Sequence, residues 1–436
     1  MKKSIYENYF LVLFSIIPIS ILLGPAISLI NILVIDLSFI IFAISNKKKV
    51  FYIDKNIKIM FLISIYLIFN SIISIDFSLG ALRNFGFIRF IILFIAFNYF
   101  FYDEKFFNKV IFVWSIVLLI VAFDIYVERF TGTNILGFGA NYIDGIQQPD
   151  GNRIVSFFKD EPIAGSYINA FFLIIVGFFF TIKSNFSKKY KITIPLIMIF
   201  FITAVLLTGE RSNTIKAFLG FFIFFSLSDI FNLKKKIIFF LSLFLLIGTI
   251  YNGSEFLKMR YSGQFIKPIM SIFESKNINA KRLNSETTLT KNIYYRLYDS
   301  GFSVFKSYPL FGVGNKNYRL ITCEPVTEKY ECNTHPHQFY FELLAEHGLI
   351  GSFIIIFALF NLTFSKIKLI LVSKNHIQIG CLIFLSTSLI PLLPSGAFFS
   401  DNSLTVFWIN LSILYSVSKK TNMYSVNQSN LGTVAQ

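Results

Sequence analysis

Long apolar runs separated by polar connections are the main pattern along the chain. Each run approaches the roughly 20 residues that an α-helix needs to cross a bilayer. Runs of this kind in series are typical of a helical membrane protein. We therefore predict an all-α polytopic membrane protein, one integral membrane domain over residues 1–436. Its twelve predicted spans are 8–23, 26–45, 58–75, 87–102, 109–128, 164–182, 192–208, 213–231, 237–251, 339–364, 377–393 and 403–417.

The polar connections alternate in character along the chain. One set is rich in lysine, and basic connections of membrane proteins usually stay in the cytoplasm. This predicts that both termini are cytoplasmic, which an even number of spans allows. The lysine-rich connections are 47–49 with Lys55, 183–191, 234–236, 366–374 and 419–420.

Two connections of the opposite set are long, and we predict that they lie outside, over residues 129–163 and 252–338. Within the second, apolar residues at helical spacing predict a helix from Lys291 to Tyr308, lying at the membrane interface. Pro309 should end this helix, and the glycines of segment 310–314 should form a tight turn.

Composition narrows the class of protein. Hydrophobic residues make up 55% of the chain and mean hydropathy is +0.65, which exclude an ordinary soluble protein. The net charge of +16 does not indicate nucleic-acid binding, because the charge is sorted by membrane side rather than gathered in one patch.

All nine arginines lie on or near the predicted outer side. Arginine binds phosphate or carboxylate through two parallel hydrogen bonds, which lysine cannot do, although lipid headgroups would explain some of them.

A histidine-containing motif lies where the long outer connection turns into an apolar span, at residues 335–351. Proline is favoured at the first helical position, so Pro336 predicts His335 as the N-cap and places His337 in the first turn. A helix N-terminus attracts anions and disfavours protonation of a nearby imidazole. His347 would lie nearly three turns further along the helix. The motif therefore indicates chemistry on a lipid phosphate, with neutral His337 as a base.

Three other outer segments carry candidate residues. They are the predicted hinge 208–212 with Arg211, the loop helix with Arg296, and the segment 153–161 with Arg153. Simpler interpretations also exist: a loop histidine such as His337 is often structural, and an arginine beside a glutamate in a short hinge, as at Arg211, is often a local pair.

The cysteines give one further prediction. If the long loop is extracytoplasmic, Cys323 and Cys332 can form a disulfide, worth about 2–3 kcal/mol for so short a loop. Cys381 lies in an apolar span and is most simply a small buried residue.

Together these segments resemble the O-antigen ligase and polymerase superfamily of bacterial membrane glycosyltransferases. The resemblance rests on the motif 337–351, with support from segment 308–314, Arg296 and segment 207–212. Asp160-Glu161 with Gly165-Ser166 is also similar to a segment of some members. It covers residues 150–360 in detail. One departure is Gln338, where the family usually has asparagine after the histidine.

The resemblance implies transfer of a glycan from an undecaprenyl-diphosphate carrier to an acceptor hydroxyl, with inversion, on the periplasmic face of the bacterial inner membrane. His337 would be the base. Arg211 and Arg296 would bind the diphosphate, with Arg153 as a third contact. No carboxylate pair suited to a metal is visible, so we expect a metal-independent enzyme with no cofactor. An O-antigen ligase with a lipid A-core acceptor is preferred, because the histidine motif and its preceding arginine match best there.

Alternatives remain open. A polymerase of repeat units or a protein O-oligosaccharyltransferase would differ only in the acceptor. A lipid-linked glycan flippase would also suit twelve spans, and it should show internal repeats or paired ionisable residues at mid-bilayer depth. Asp36 and Asp124 are candidates for such residues, but no repeat is visible.

Overall fold

The structure is a computed structural model that describes residues 2–45, 51, 53–139, 142–143, 146–147, 153–159, 161–182, 190–266, 293–323, 330–391 and 393–425. Arg282, Asp160, the connection 183–189 and most of the long outer loop lie outside the described residues. Helices dominate the described parts. They are α1 (Lys2–Ser15), α2 (Ile17–Leu22), α3 (Pro25–Ser45), α4 (Lys55–Ile72), α5 (Phe77–Phe85), α6 (Ile88–Phe100), α7 (Glu104–Thr131), α8 (Ala164–Ile182), α9 (Tyr190–Leu207), α10 (Arg211–Leu227), α11 (Leu233–Gly253), α12 (Glu255–Leu257), α13 (Ile293–Ser307), α14 (Tyr318–Cys323), α15 (Phe339–Phe364), α16 (Ile367–Ser373), α17 (His376–Ser388) and α18 (Asp401–Ser416).

Three short elements complete the described fold. A 3₁₀ turn covers Ser156–Phe158, and a π-helical stretch covers Lys258–Ile266. The two-residue strands β1 (Tyr142–Ile143) and β2 (Ile146–Gln147) pair antiparallel, with Tyr142 opposite Gln147.

Every predicted span overlaps a helix. Among the described residues, seven helical segments are long and apolar enough to cross a membrane, or eight if the bent pair Leu233–Gly253 and Glu255–Gly263 is one span. The structure therefore supports a polytopic helical membrane protein, whereas twelve crossings stay a prediction. The predicted span 377–393 was too long, because α17 ends at Ser388 and two prolines follow shortly after it.

The connections predicted to lie outside contact one another. The amide of Ile75 donates to the carbonyl of Val313 at 3.1 Å, that of Ile154 to Thr208 at 3.1 Å, and that of Ser395 to His337 at 2.9 Å. At the other end, Lys374 forms an ion pair with Asp229, which joins the predicted cytoplasmic connection 366–374 to the end of the predicted span 213–231. The bundle thus has one end that gathers every segment carrying a candidate site residue.

Helix α15 is broken at Gly348, although its sequence reads as one continuous apolar span. Gly348 has φ 63° and ψ −166°, a backbone conformation that is essentially restricted to glycine. The glycine turn 309–314 fits into this break. Amides of Leu349 and Ile350 donate to Pro309 and Leu310 at 2.8 and 3.1 Å. Amides of Val313 and Gly314 donate back to residues 345 and 346 at 3.0 and 2.9 Å. The predicted turn therefore exchanges backbone hydrogen bonds with α15 on both sides of the break.

Helix α13 packs against the start of α15. Its bounds lie close to the predicted Lys291–Tyr308, and three residues at the helical spacing, Leu297, Gly301 and Val304, are buried. A side chain at Gly301 would meet Cβ of Pro336 at 2.9 Å, so only glycine allows this approach. Tyr298 stacks on Phe341 with ring centroids 5.2 Å apart. These contacts hold the histidine motif against the outer loop.

Candidate active site

His337 precedes the helix instead of lying in its first turn. Helix α15 begins at Phe339, and the side-chain oxygen of Gln338 caps it by accepting from the amides of Tyr340 and Phe341 at 2.8 and 3.0 Å. The predictions of His335 as N-cap and Pro336 at the first helical position were wrong. The Gln338 amide satisfies the free N–H groups of the first turn, and His337 has a left-handed φ of 55°.

Two neutral imidazoles lie side by side at this point. The rings of His335 and His337 have centroids 4.1 Å apart. Burial lowers the pKa of His337 below its usual range, and the positive charge of Arg153 lowers it further. Burial also lowers the pKa of His335 to about 4. His337 is therefore uncharged near neutral pH and available to take a proton.

Arg153 and Arg211 both lie at the hinge between α9 and α10. The hinge turns at Gly209, which has a left-handed φ of 74°, and Arg211 is the first residue of α10. The amide that follows Arg153 donates to the carbonyl of Thr208, so Arg153 lies beside the hinge. The positive charge of Arg153 also lowers the pKa of His337, so Arg153 is close enough to both the hinge and the histidine to act on each electrostatically.

Arg260 is a further arginine at the hinge. Its guanidinium donates through Nε and Nη2 to the carbonyl of Gly209, at 3.3 and 3.1 Å. The charges of Arg211 and Arg153 both act on Arg260. The sequence does not single out Arg260, because nothing local distinguishes it from the other outer arginines. Arg129 lies next to this group and donates to the carbonyl of Leu207 at 2.8 Å.

The loop helix α13 brings Tyr294 to the hinge. Nη2 of Arg211 lies 3.2 Å from Oη of Tyr294. Because Tyr298 of the same helix stacks on Phe341, α13 links the arginines at the hinge to the histidine motif. Arg296 points elsewhere, since residues two apart on a helix lie about 200° apart around its axis. Its Nε forms an ion pair with Glu331 at 3.4 Å, and 48% of its side chain is exposed.

Glu210 serves the fold rather than pairing with Arg211. Its buried carboxylate accepts from the amides of Gly165 and Ser166 at 2.6 and 3.2 Å, and from Nδ2 of Asn213 at 2.7 Å. It thus binds the N-terminus of α8, where negative charge is favoured. Burial nevertheless raises its pKa to about 7. Glu210 fixes α8 against the hinge that carries the arginines.

The cysteines and the acidic residues complete the site's surroundings. The structure joins Cys323 and Cys332 in a disulfide, directly before the histidine motif. Among the described residues, no group of three or more histidine, cysteine or acidic side chains could hold a metal ion. The arrangement combines a neutral base with several guanidinium groups, which suits proton transfer beside a polyanionic leaving group.

Comparison with known proteins supports a site for this kind of chemistry. A model of the O-antigen ligase family matches residues 196–356. The matched segment includes the hinge, α13 and the histidine motif, whereas Arg153 lies before it. No curated protein matches the chain. The resemblance predicted from the motifs is confirmed. The match indicates a glycan-transferring membrane enzyme of the O-antigen ligase and polymerase type.

Proposed function

We propose that the protein transfers a glycan from an undecaprenyl-diphosphate carrier to an acceptor hydroxyl on the periplasmic face, as an O-antigen ligase acting on a lipid A-core acceptor. The main support is the position of Arg153 beside the hinge, where the amide of Ile154 donates to the carbonyl of Thr208 at 3.1 Å, and where its charge acts on both His337 and Arg260. A diphosphate held by these guanidinium groups would lie beside the base.

The proposed step is a single displacement. A neutral imidazole nitrogen of His337 takes the proton of the acceptor hydroxyl, and the oxygen bonds to the anomeric carbon from the face opposite the diphosphate. The carbon–oxygen bond to the diphosphate breaks, and its electron pair leaves with undecaprenyl diphosphate. Arg153, Arg211 and Arg260 stabilise the charge that develops there. Arg296 could join them once its ion pair with Glu331 opens.

An apolar groove supports a lipid-linked donor. Its volume is about 670 Å³, and its lining includes Leu22, Val121, Phe157 and Phe158. The last two belong to the segment that begins with Arg153. A polyprenyl chain in this groove would therefore bring its diphosphate to the arginine end of the segment.

The flippase alternative loses one of its two candidate residues. Asp124 accepts hydrogen bonds from the amide of Ile135 and the hydroxyl of Ser156. Its neighbour Glu128 accepts from the amides of Val155 and Ser156 at 3.1 and 2.6 Å. These carboxylates hold the outer loop in place, which accounts for Asp124 without ion transport.

Replacement of His337 tests the proposal. In reconstituted membranes supplied with the lipid-diphosphate glycan and lipid A-core, we expect His337→Ala to lose transfer but to bind undecaprenyl diphosphate as the wild type does. The matched control is His376→Ala, a histidine on the predicted cytoplasmic side, which should transfer normally. Undiminished transfer by folded His337→Ala protein would end its assignment as the base. Polymer formation without an added acceptor would favour the polymerase.

A further inference from the structure

A polar cavity borders the histidine pair, separate from the apolar groove. It has a volume of about 190 Å³, and His335 forms part of its wall. Because the ring of His335 is 4.1 Å from that of His337, a group in this cavity lies one imidazole away from the proposed base. The wall also includes Lys316, Arg319, Thr334, Asn315 and Phe399.

Two buried carboxylates in the wall are already bound by backbone groups. Oε2 of Glu342 accepts from the amide of Phe398 at 2.9 Å. Glu346, one helical turn later, lies close to the backbone amides of Lys316 and Tyr318. The two glutamates therefore shape the cavity by fixing the segments on either side of it. Both carboxyl groups line the cavity, so they add to its hydrogen-bonding capacity.

The basic side chains of the cavity divide into two kinds. Arg83 forms an ion pair with Asp401 at 2.8 Å, so it stabilises the fold. For Lys316 and Arg319 the described residues include no ion pair within 4 Å, and Arg319 is exposed at the mouth of the cavity. Burial and the charge of Arg83 lower the pKa of Lys316. Lys316 and Arg319 are thus donors at the cavity.

Two buried polar atoms of the wall have no hydrogen-bond partner among the described residues. They are Oδ1 of Asn315 and Nε2 of His335. Asn315 is 1% exposed, and its amide nitrogen is bound to Asn84. Leaving a buried polar atom unpaired costs about 1–3 kcal/mol, so a ligand that pairs with both atoms gains affinity.

The lining mixes donors, acceptors and one aromatic face. Lysine and arginine donate, the Asn315 and glutamate oxygens accept, and Thr334 does both. Sugar hydroxyls also donate and accept, and the C–H face of a sugar ring packs on an aromatic side chain such as Phe399. The volume holds several water molecules or one sugar ring. Resting on the proposed function, we propose that this cavity binds one sugar ring of the acceptor and so holds an acceptor hydroxyl near His337.

Binding measurements test the cavity without depending on transfer. The protein in nanodiscs is titrated with core oligosaccharide released from lipid A-core, and separately with undecaprenyl diphosphate. We expect Arg319→Gln and Lys316→Gln to weaken oligosaccharide binding about tenfold each, because each loses a charge-assisted hydrogen bond. Ala397→Leu, which fills the cavity, should weaken it further. Undecaprenyl diphosphate should bind all three variants as it binds the wild type.

The control variant is Lys306→Gln, an exposed lysine of α13 outside the cavity, which should bind both probes normally. Acceptor KM should rise in the cavity variants while donor KM stays unchanged. Wild-type protein that binds the oligosaccharide but does not transfer would contradict the proposed function and leave the cavity assignment standing. Three results would overturn the cavity assignment. The wild type does not bind the oligosaccharide, Arg319→Gln binds it as well as the wild type does, or the variants lose binding only to undecaprenyl diphosphate.

Discussion

Replacing Gly348 with alanine should separate the outer loop from the membrane helix that carries the histidine motif. A Cβ atom at this position would lie 2.4 Å from the carbonyl carbon of Leu310 and from the amide nitrogen of Phe311. Both neighbours are backbone atoms held in the glycine turn, so neither can swing away as a flexible side chain would.

The expected loss of stability has two parts. Holding a non-glycine residue at φ 63° and ψ −166° costs about 1–3 kcal/mol. Relieving the clash requires the turn to move, which breaks the hydrogen bonds from Leu349 and Ile350 and adds about 1–3 kcal/mol. We therefore expect Gly348→Ala to lower the free energy of unfolding by about 2–6 kcal/mol in total.

Thermal unfolding of the detergent-solubilised protein measures this effect. A thiol-reactive dye reports unfolding, because Cys381 is buried and is the free cysteine of the described chain. The matched control is Gly248→Ala in α11, where a Cβ would meet nothing within 4 Å. Alanine there should stabilise the helix by up to about 1 kcal/mol. Equal unfolding midpoints for Gly348→Ala and Gly248→Ala would refute the view that the break requires glycine.

Three further predictions follow from the site. Arg153→Gln should move the acid limb of the pH–rate profile to higher pH, because the pKa of His337 rises when the neighbouring positive charge is removed; an unshifted limb would contradict the role of Arg153. Arg211→Lys should reduce kcat roughly tenfold or more, since lysine keeps the charge but loses the fork; wild-type kcat would argue against bidentate phosphate binding. Reductant should lower the unfolding midpoint by breaking the Cys323–Cys332 bond, worth about 2–3 kcal/mol; equal gel mobility and thiol counts with and without reductant would disprove the pairing.

Local patterns in the sequence predicted most helices, because the apolar spacing that indicates a helix lies within its own residues. The loop helix α13 and the hinge at Gly209 are examples, since apolar spacing and glycine indicate them directly. The break at Gly348 could not be predicted in this way. Its cause is a set of backbone hydrogen bonds between α15 and the glycine turn 309–314, more than 30 positions earlier in the chain. Apolar periodicity does not reveal such distant contacts.

The same limit applied to the arginines. The family resemblance implied Arg296, which the structure pairs with Glu331, whereas Arg260 reaches the hinge from a π-helical stretch after α12. The start of α15 was misplaced for a simpler reason. Gln is not among the most favoured N-cap residues, so Pro336 was the stronger local signal.

The buried carboxylates around the site affect how mutational screens should be interpreted. Asp124, Glu128 and Glu210 each accept backbone amide hydrogen bonds from a neighbouring segment, and no step proposed above uses them as acids or bases. Loss of activity on replacing any of them would resemble loss of a general acid. A screen that scores only product formation would therefore overcount catalytic carboxylates, and protein abundance in the membrane must be measured alongside it.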